Sequence, residues 1–343
     1  MSSVCFVVPS SAAKAYQDLS KVHSAIEMPT WAALLANAVR VKGHEPCILD
    51  FDACPMSDED AAEEIAKTKP KLVVFVLYGQ NPNSGTTMMI GASSLATQLK
   101  LSHPNLKIAF IGSHASALPH EVIQYRYVDF AFINEGVYGL LDLLETNLED
   151  NLDNVRGMWY KKHGLPRPTS GGCIVPTSEM DTVMPGYAWD LLPKEKYLLD
   201  KYRSHFWHSN FSHEGRTPFA AIYTSLGCQF GCNFCMINIV NRTSHEEGVT
   251  SQDSRGMRFW SPELMLKELE HLYENGVRTV RLTDEMFFLN KKYYVPILQG
   301  LVDRGMQGRY YRYYNAETDK WGRCGADINE AFEIETTNGA EDD

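Results

Sequence analysis

The sequence predicts an α/β protein in which a doubly wound parallel sheet is followed by a second, smaller layer of (β/α) barrel type. From residue 1 to about residue 145, short apolar runs alternate with helical patterns, and a second alternation of the same kind begins near residue 218. Strands and helices that alternate along a chain build parallel sheets. With 343 residues, the chain is long enough for two such domains.

Five apolar runs are the predicted strands of the first sheet. They are VCFVV (4–8), CILDF (47–51), KLVVFVLYG (71–79), KIAFIG (107–112) and VDFAFI (128–133). Continuous apolar character is typical of parallel strands that are buried on both faces. Between the first two runs, apolar residues recur with helical spacing from Trp31 to Val39, and Gly43 can end that helix. Between the next two, Ser57 and the acids after it predict a capped helix start.

The loops after the last three runs are rich in glycine and small polar residues. They read YGQNPNSGTT (78–87), GSHASALP (112–119) and NEGVYG (134–139). In doubly wound sheets, ligands bind beyond the carboxyl ends of the strands, and glycine lets a ligand approach the backbone closely. These loops are therefore candidates for a binding site, although ordinary surface loops have a similar composition.

Residues 148–217 interrupt the alternation of strands and helices. They contain a hairpin pattern, GMWYKKHG (157–164), and many aromatic residues, in which disordered tethers are depleted. We therefore expect an ordered linker at 148–217 between a sheet domain at 1–147 and a second layer at 218–343. The second layer ends in acidic residues that predict a solvated tail.

The second layer begins with FAAIYTS (219–225), which predicts a strand. Ser261-Pro262-Glu263 then gives a helix start, because it supplies an N-cap, a proline at the first helical position and an acid in the first turn. Gly276 can end this helix, and VRTVRLTDE (277–285) follows as the next strand. RYYRYYNAETDKW (309–321) predicts a third strand and a turn, whereas the residues after it do not continue the alternation.

Composition excludes several classes of protein. The net charge of -11 argues against nucleic acid as a partner. No run of 18 or more apolar residues appears and the first residues lack a secretory pattern, so neither a membrane span nor export is expected. Five of the eight cysteines are scattered without the spacing of a disulfide framework, which favours a reducing cytoplasmic location.

The remaining three cysteines lie in one loop, TSLGCQFGCNFCM (224–236), directly after a predicted strand. Cys228, Cys232 and Cys235 can hold three irons of a 4Fe–4S cluster, because thiolate is the ligand that such clusters take. The fourth iron would then keep an open position for a substrate or cofactor. Two alternatives stay open: an electron-transfer cluster with a remote fourth cysteine, and a zinc site. The zinc site could be completed by Cys173, Cys324 or His245.

The segment from Cys228 to Cys235, including the aromatic Phe234, resembles the signature of the radical S-adenosylmethionine superfamily. The resemblance extends to roughly residues 4–305. KGHEPCILD (42–50), GSHASALPHEV (112–122) and FINEGVYGLLDLLE (132–145) are similar to the cobalamin-binding domain that precedes the barrel in one large class of this superfamily. FWSPELMLKELEHL (259–272) and LTDEMFFLN (282–290) are similar to the early barrel of that class.

This resemblance implies a chemistry. In the family, the open iron binds the amino and carboxylate groups of S-adenosylmethionine, and one electron from the cluster cleaves the sulfonium to give a 5'-deoxyadenosyl radical. In the cobalamin class, methylcobalamin commonly supplies a methyl group to the carbon radical formed on the substrate. The implied function is therefore a cobalamin-dependent methyltransferase acting on an unactivated carbon of a small-molecule substrate. The implied electron donor is a protein such as flavodoxin or ferredoxin.

The resemblance also implies roles for individual residues. Cys228, Cys232 and Cys235 would be the metal ligands, and Phe234 together with Asp284 or Glu285 would bind S-adenosylmethionine. The loops facing cobalamin would include Tyr78, Gly112, Ser113, His114, Glu135 and Gly136. Asp284 and Glu285 equally suit a structural or helix-capping role, and His114 equally suits an ordinary loop histidine.

The sequence departs from the family pattern in two respects. The loop after the first strand, PSSAAKAYQDLSKVH, lacks the D-x-H-x-x-G motif that supplies a lower axial histidine to cobalamin. Residues 218–343 also fall short of the roughly 190 residues that six of the eight units of a 250-residue barrel need. The barrel is therefore expected to be partial and shortened, and a partner subunit is one way to complete it. Two alternatives follow: a cobalamin-independent radical enzyme, and a truncated noncatalytic binding or regulatory homologue.

Overall fold

The computed structural model describes residues 3–22, 24–79, 84–205, 216–232, 234–248 and 256–306, and the backbone of three later strands. The strands are β1 (Ser3–Val8), β2 (Glu45–Asp50), β3 (Leu72–Val76), β4 (Lys107–Ile111), β5 (Phe130–Phe132), β6 (Met158–Lys162), β7 (Leu165–Pro168), β8 (Phe219–Ile222), β9 (Ser225–Cys228), β10 (Gly256–Phe259), β11 (Thr279–Leu282), β12 (Tyr311–Asn315), β13 (Lys320–Cys324) and β14 (Glu333–Thr336).

The helices are α1 (Ala12–Tyr16), α2 (Leu19–Val22), α3 (Thr30–Val41), α4 (Asp58–Lys67), α5 (Gly85–Ser102), α6 (Ser113–Ala117), α7 (Pro119–Gln124), α8 (Val137–Leu144), α9 (Met180–Val183), α10 (Pro262–Glu274) and α11 (Lys291–Asp303). No helix among the described residues has the length and apolar character that crossing a membrane requires.

The chain divides into two compact units whose segments interleave along the sequence. The first consists of Met1–Lys21, Trp31–Pro193 and Gly227–Met257, and the second of Val22–Thr30, Lys194–Leu226 and Arg258–Asp343. The segment that carries the three clustered cysteines therefore belongs to the same unit as the first sheet.

The first unit contains a seven-stranded sheet in the order β2-β1-β3-β4-β5-β6-β7. The first five strands in this order are parallel, as the sequence predicts. The order 2-1-3-4-5 is one of the common doubly wound orders, with its switch point between β1 and β3. The predicted hairpin forms β6 and β7, which add to the sheet as antiparallel strands. The carboxyl ends of β3, β4 and β5 therefore lie side by side.

The predicted helices of the first unit form for the reasons read from the sequence. In α3, the apolar stripe from Trp31 to Val39 is buried. The Ser57 hydroxyl accepts a hydrogen bond from the Asp60 amide and caps α4. An N-cap of this kind stabilises a helix by about 1 kcal/mol.

The second unit is built on a parallel sheet of three strands in the order β14-β11-β8. Ser261 caps α10 by accepting a hydrogen bond from the Leu264 amide. The helix ends just before Gly276, whose φ of +84° is a conformation that favours glycine. This alternation of parallel strands and helices confirms the predicted strand–helix layer.

Two predictions about the second unit need correction. The expected single strand at 219–225 is two strands, β8 and β9, because the chain bends at Tyr223 and Thr224. The Thr224 amide donates to the Asp284 carboxylate and takes no part in a strand ladder. The described strands of the stretch 309–321 do not supply the third parallel strand, since β12 and β13 pair with each other in antiparallel fashion.

The third parallel strand is β14, which lies in the stretch expected to be an acidic tail. Glu333 and Glu335 flank Ile334, so the charged composition concealed an alternating pattern typical of a strand. Predictions on residues 80–83, 206–215 and 337–343 lie outside the described residues.

Candidate functional site

The three clustered cysteines follow β9, and the first of them is its last residue. Cys228 is buried, and its sulfur accepts a hydrogen bond from the Phe230 amide at 3.4 Å. Gly227, just before it, has a φ of +84° and a backbone so tightly enclosed that a Cβ there would lie 2.4 Å from both the Asn241 side chain and the Gly256 carbonyl. Glycine is therefore required at this position by both backbone conformation and space.

Two asparagines hold the start of this loop. The Asn238 side chain accepts a hydrogen bond from the Cys228 amide at 2.9 Å and donates one to the Phe230 carbonyl at 3.1 Å. The Asn241 side chain donates to the Gly256 carbonyl at 2.9 Å. Both asparagines are buried, so these bonds replace water that the loop backbone would otherwise need.

The other two cysteines lie further out along the loop. Cys232 is exposed and Cys235 is partly buried, and the Cys235 amide donates to the Cys232 carbonyl at 3.0 Å. Phe234, between them, exposes 91% of its surface. Its ring is thus available to a ligand, as the resemblance implies for this position.

The donor set of this loop fits an iron–sulfur cluster chemically, because three thiols and an amide that donates to sulfur are what such clusters use. Across the described ranges, however, no three His, Cys, Asp or Glu side chains are already gathered around one point. The alternative zinc ligands do not complete a site with the loop cysteines either. Cys173 is exposed, and Nε2 of His245 is hydrogen-bonded to the Ser170 carbonyl at 3.1 Å. The Cys324 side chain lies outside the described residues.

The segment after the cysteines is anchored to the first sheet by Arg242. This arginine is fully buried, and its guanidinium donates to the carbonyls of Ser116, Glu246 and Gly248 at 2.6 to 2.9 Å. Ser116 lies in α6, directly after β4. A buried guanidinium needs hydrogen-bond acceptors, and these three carbonyls supply them.

A second anchor comes from the loop after β5. The Asn134 side chain donates to the Arg242 carbonyl at 2.9 Å. Asn134 itself has a φ of +52°, and its own carbonyl accepts a hydrogen bond from the Tyr78 hydroxyl at 2.8 Å. Two further backbone bonds join the segment to the unit, from Gly172 to Thr243 and from Gly248 to Ala117. The cysteine-bearing segment is thus fastened to the carboxyl ends of β4 and β5.

The glycines predicted beside these strand ends allow close backbone packing. A Cβ on Gly112 would lie 2.4 Å from the Leu77 carbonyl, and one on Gly136 would lie 2.6 Å from the Ile111 side chain. Tyr78 is buried and stacks on Trp31 with ring centroids 4.4 Å apart. These residues lie where the sequence predicts, and they already serve the packing of the loops.

Three other predicted residues of these loops differ in their surroundings. Ser113 is fully buried, and its hydroxyl has no hydrogen-bond partner among the described residues. Thr86 contacts Nδ1 of His114 at 3.1 Å, and burial lowers the pKa of His114. Glu135 is fully buried and accepts a hydrogen bond from the Val175 amide at 2.6 Å. Their contact with a cofactor remains a prediction.

In the second unit, Asp284 is a buried carboxylate that holds the bend between β8 and β9. It accepts hydrogen bonds from the Thr224 amide, the Thr224 hydroxyl and the Ser225 hydroxyl. Burial raises its pKa to about 6, although these hydrogen bonds oppose the rise. The contacts favour a structural role for Asp284, and its contact with S-adenosylmethionine stays a prediction.

Glu285 is the more open of the two neighbouring acids. No hydrogen bond to its carboxylate is present within the described part of the chain, and it is only partly buried. Burial, followed by the nearby charge of Asp284, raises its pKa. Of the pair, Glu285 therefore has the carboxylate that remains available to a cationic group.

Known proteins are similar to this chain both within the first sheet and over most of its length. The B12 binding domain family matches residues 23–144. A protein described as an uncharacterized methyltransferase, from Pyrococcus horikoshii, is 26% identical over 281 residues, which cover 81% of this chain and 53% of that protein. The anaerobic magnesium-protoporphyrin IX monomethyl ester cyclase of Synechocystis is 22% identical over 276 residues, which cover 76% and 46%.

Solved structures extend the likeness to both units. The radical S-adenosylmethionine methyltransferase TsrM from Kitasatospora setae, with cobalamin and a 4Fe–4S cluster bound, matches 89% of this chain with a TM-score of 0.61 at 15% identity. Residues 23–144 thus match the B12 binding domain family, and the fold of the chain is that of the cobalamin-binding radical S-adenosylmethionine structures. The fold that the resemblance implies is therefore confirmed.

Other structures of this class agree in fold. TsrM with tryptophan substrate and a S-adenosylmethionine analog bound matches with a TM-score of 0.57. The cobalamin-dependent S-adenosylmethionine radical enzyme OxsB matches 90% of this chain with a TM-score of 0.58 at 17% identity. The chain spans 51% to 53% of the TsrM chains, 38% of OxsB, and about half the length of the curated relatives.

Sequence reasoning missed the residues that fasten the cysteine loop to the rest of its unit. Asn238, Asn241 and Arg242 follow the motif in the stretch INIVNR, and Asn134 lies in the predicted loop after β5. A signal was present, because asparagine and arginine within an apolar stretch often serve buried hydrogen bonds. Their partners are backbone carbonyls and amides, which no sequence pattern names.

Proposed function

We propose that this chain acts as a cobalamin-dependent radical S-adenosylmethionine methyltransferase that modifies an unactivated carbon of a small molecule. One observation carries the proposal. The segment with Cys228, Cys232 and Cys235 belongs to the same compact unit as the B12-binding domain and is hydrogen-bonded to loops at the carboxyl ends of its strands. Thiols for a cluster and a domain for cobalamin therefore form one folded unit.

The proposal assigns roles to the predicted site residues. Cys228, Cys232 and Cys235 hold three irons of a 4Fe–4S cluster, and Phe234 and Glu285 contact S-adenosylmethionine, with Asp284 as the structural neighbour. Cobalamin is held by the loops after β3, β4 and β5. The residues of those loops are Tyr78, Gly112, Ser113, His114, Glu135 and Gly136. When bound, the three cofactors supply reductive cleavage of S-adenosylmethionine and a transferable methyl group.

The chain's own side chains bind and orient these groups. Asn238 fixes the backbone on both sides of Cys228, and the Phe230 amide donates to the Cys228 sulfur. Hydrogen bonds to cluster sulfurs tune the reduction potential of a cluster. The fully buried Ser113 hydroxyl offers a hydrogen bond to a ligand at the end of β4.

The proposal includes partners and a location. A protein of the flavodoxin or ferredoxin type is the electron donor, because reductive cleavage needs one electron for each turnover. A reducing cytoplasmic compartment suits exposed and partly exposed thiols such as Cys232 and Cys235. The proposal keeps a cobalamin-binding domain at 1–147, a linker at 148–217 and a partial barrel at 218–343, with the cysteine-bearing segment 227–257 in the same compact unit as the first sheet.

The test is anaerobic reconstitution of the chain with iron, sulfide and hydroxocobalamin. We expect about four irons per chain, the absorption and paramagnetic resonance spectra of a four-iron cluster, and retention of cobalamin through gel filtration. A variant with Cys228, Cys232 and Cys235 all changed to serine is expected to lose the cluster and keep cobalamin. Cys173→Ser is the matched control, because Cys173 lies outside the loop, and it is expected to change neither.

Product analysis then separates the methyltransferase from its alternatives. With S-adenosylmethionine and a strong reductant, 5'-deoxyadenosine together with S-adenosylhomocysteine supports methyl transfer by way of cobalamin. 5'-Deoxyadenosine alone, with no cobalamin retained, would favour a cobalamin-independent radical enzyme. Neither product from a chain with an intact cluster would favour the noncatalytic homologue, and a preparation that takes up only zinc would refute all radical chemistry.

A further inference from the structure

Two cysteines outside the proposed site face each other on neighbouring strands. Cys5 on β1 and Cys47 on β2 are directly paired in the parallel register of the sheet. Paired residues of adjacent parallel strands point to the same face, and such strands lie about 4.8 Å apart. A disulfide joins residues whose Cα atoms are roughly 4.4 to 6.8 Å apart. The backbone thus already holds the two thiols at a spacing that a disulfide accepts.

The two thiols differ in exposure. Cys5 is completely buried, whereas Cys47 is only partly buried. The thiols share a hydrogen bond, and the Thr68 side chain at the end of α4 contacts both. That shared hydrogen bond lowers the pKa of Cys47 to about 7, and it raises the pKa of Cys5 together with burial. One thiol is therefore the accessible thiolate near neutral pH, and its neighbour is held protonated.

We propose that Cys5 and Cys47 form a redox-active dithiol that takes small-molecule disulfides of the glutathione type as its oxidant. The Cys47 thiolate attacks a sulfur of the external disulfide, which forms a mixed disulfide and releases one thiolate. The Cys5 sulfur then attacks the Cys47 sulfur, and the second thiol leaves with the proton from Cys5. The protein loses two hydrogen atoms and gains one disulfide, while the oxidant is reduced to two thiols.

The order of these steps follows from the geometry. An external disulfide reaches the partly exposed Cys47 but not the buried Cys5, so Cys47 must react first. Cys5 is the paired neighbour across the sheet and needs no rearrangement of the strands to reach the mixed disulfide. This inference uses neither the three loop cysteines nor any bound cofactor, so it does not depend on the proposed function.

The test treats the folded, full-length chain with oxidised glutathione, quenches with acid, alkylates under denaturing conditions and maps the peptides by mass spectrometry. We expect a peptide pair joined through Cys5 and Cys47 and lighter by two hydrogen atoms. In Cys5→Ser, we expect a stable glutathione adduct on Cys47. In Cys47→Ser, we expect neither the linked pair nor an adduct on Cys5. The attack should quicken as the pH rises through about 7, because the thiolate fraction of Cys47 rises there.

Cys54→Ser is the matched control, because Cys54 is another partly buried cysteine just beyond β2. This variant is expected to form the Cys5–Cys47 link at the wild-type rate. Cys47 is expected to react about tenfold faster than Cys54. Circular dichroism checks that each variant folds, and Cys5→Ala replaces Cys5→Ser if the hydroxyl disturbs the core. A wild-type chain that stops at the Cys47 adduct, or reacts at Cys54 while both paired thiols remain alkylatable, would overturn the proposal.

Discussion

Two neighbouring stretches of the chain are held in place by buried polar groups of different character. The bend at Thr224 and Ser225 is held by the Asp284 carboxylate, whereas the loop that begins at Cys228 is held by the neutral amide of Asn238. A carboxylate takes up a proton as the pH falls, and an amide does not. The difference teaches that the backbone around the first thiol is fixed without adding negative charge, which would favour the three thiolate ligands of the proposed cluster, because like charges repel.

The largest effect on stability is expected when the cationic anchor of the loop is removed. Arg242→Ala deprives the Ser116, Glu246 and Gly248 carbonyls of their donor, and the first of these is fully buried. We expect the free energy of unfolding to fall by about 3 to 4 kcal/mol. Denaturant titration measures the fall, and hydrogen exchange at the Gly248 amide locates it.

Arg126→Ala is the control for this change, because Arg126 is an exposed arginine of the same unit. It is expected to alter stability by less than about 0.5 kcal/mol. An equal loss in both variants would mean that Arg242 does not anchor the cysteine-bearing segment.

The next effect is expected at Asp284 and depends on pH. Because burial raises the pKa of this carboxyl to about 6, the folded chain binds the proton more tightly than the unfolded chain. Its contribution to stability is therefore greatest at low pH and is lost as the pH rises from about 4 to about 6. The loss corresponds to about 3 kcal/mol.

Asp284→Asn is expected to remove this part of the pH dependence. The measurement is the free energy of unfolding of wild type and variant across that pH range, with hydrogen exchange at Thr224 and Ser225 as a local reading. Glu274→Gln, which changes an exposed acid of the same unit, is expected to keep the wild-type slope. If Asp284→Asn also keeps that slope, the carboxylate does not titrate in the folded state and the contrast with the amide fails.

A smaller loss of stability is expected at Asn238, and it sharpens the comparison between the carboxylate and the amide. Asn238→Ala removes both bonds to the loop and is expected to cost about 1 to 2 kcal/mol. Asn238→Asp keeps the acceptor for the Cys228 amide but places a negative charge beside the thiols. We expect reconstituted Asn238→Asp to retain less iron than Asn238→Ala, although it loses fewer hydrogen bonds.

Iron content after gel filtration measures this difference, and Asn154→Ala serves as the control because Asn154 is exposed in the same unit. Greater iron retention in the aspartate variant than in the alanine variant would show that the charge of the side chain at position 238 does not matter.

The smallest change in stability is expected at Phe234. Because its side chain is almost wholly exposed, Phe234→Ala should change the free energy of unfolding by less than about 0.5 kcal/mol. Affinity for S-adenosylmethionine, measured by calorimetry on the reconstituted chain, should nevertheless fall. An unchanged affinity would remove Phe234 from the predicted site.

Much of the fold could be predicted from the sequence because its signals are local. Apolar runs, the Ser57 and Ser261 caps and the Gly276 stop each act within a few residues. The bend at Thr224 could not be predicted, because its cause is a carboxylate 60 residues away in the chain. The strand β14 was missed because pairing with β11 outweighs a charged composition that resembles a tail.

The candidate site likewise has features with local sequence signals and features that depend on residues distant in the chain. The cysteine spacing and the glycine-rich strand ends are local patterns, so both could be predicted from the sequence. The anchors at Arg242 and Asn134 were missed because their partners are backbone groups that only the folded chain brings near. The preference for Glu285 over Asp284 also required the structure, since it depends on which carboxylate is already occupied.

Residues 227–257 belong to the first unit, although the residues just before them belong to the second. The first unit is therefore completed in steps during synthesis. Residues 31–193 leave the ribosome before residues 194–226, which belong to the other unit, and residues 227–257 follow only afterwards. Until that last segment emerges, the Ser116 carbonyl and the Asn134 amide must be satisfied by water. Under the proposed function, iron delivered to a nascent chain would therefore find the three thiols of the cysteine loop only after residues 31–226 have been made, which places cluster loading after the synthesis of the first sheet.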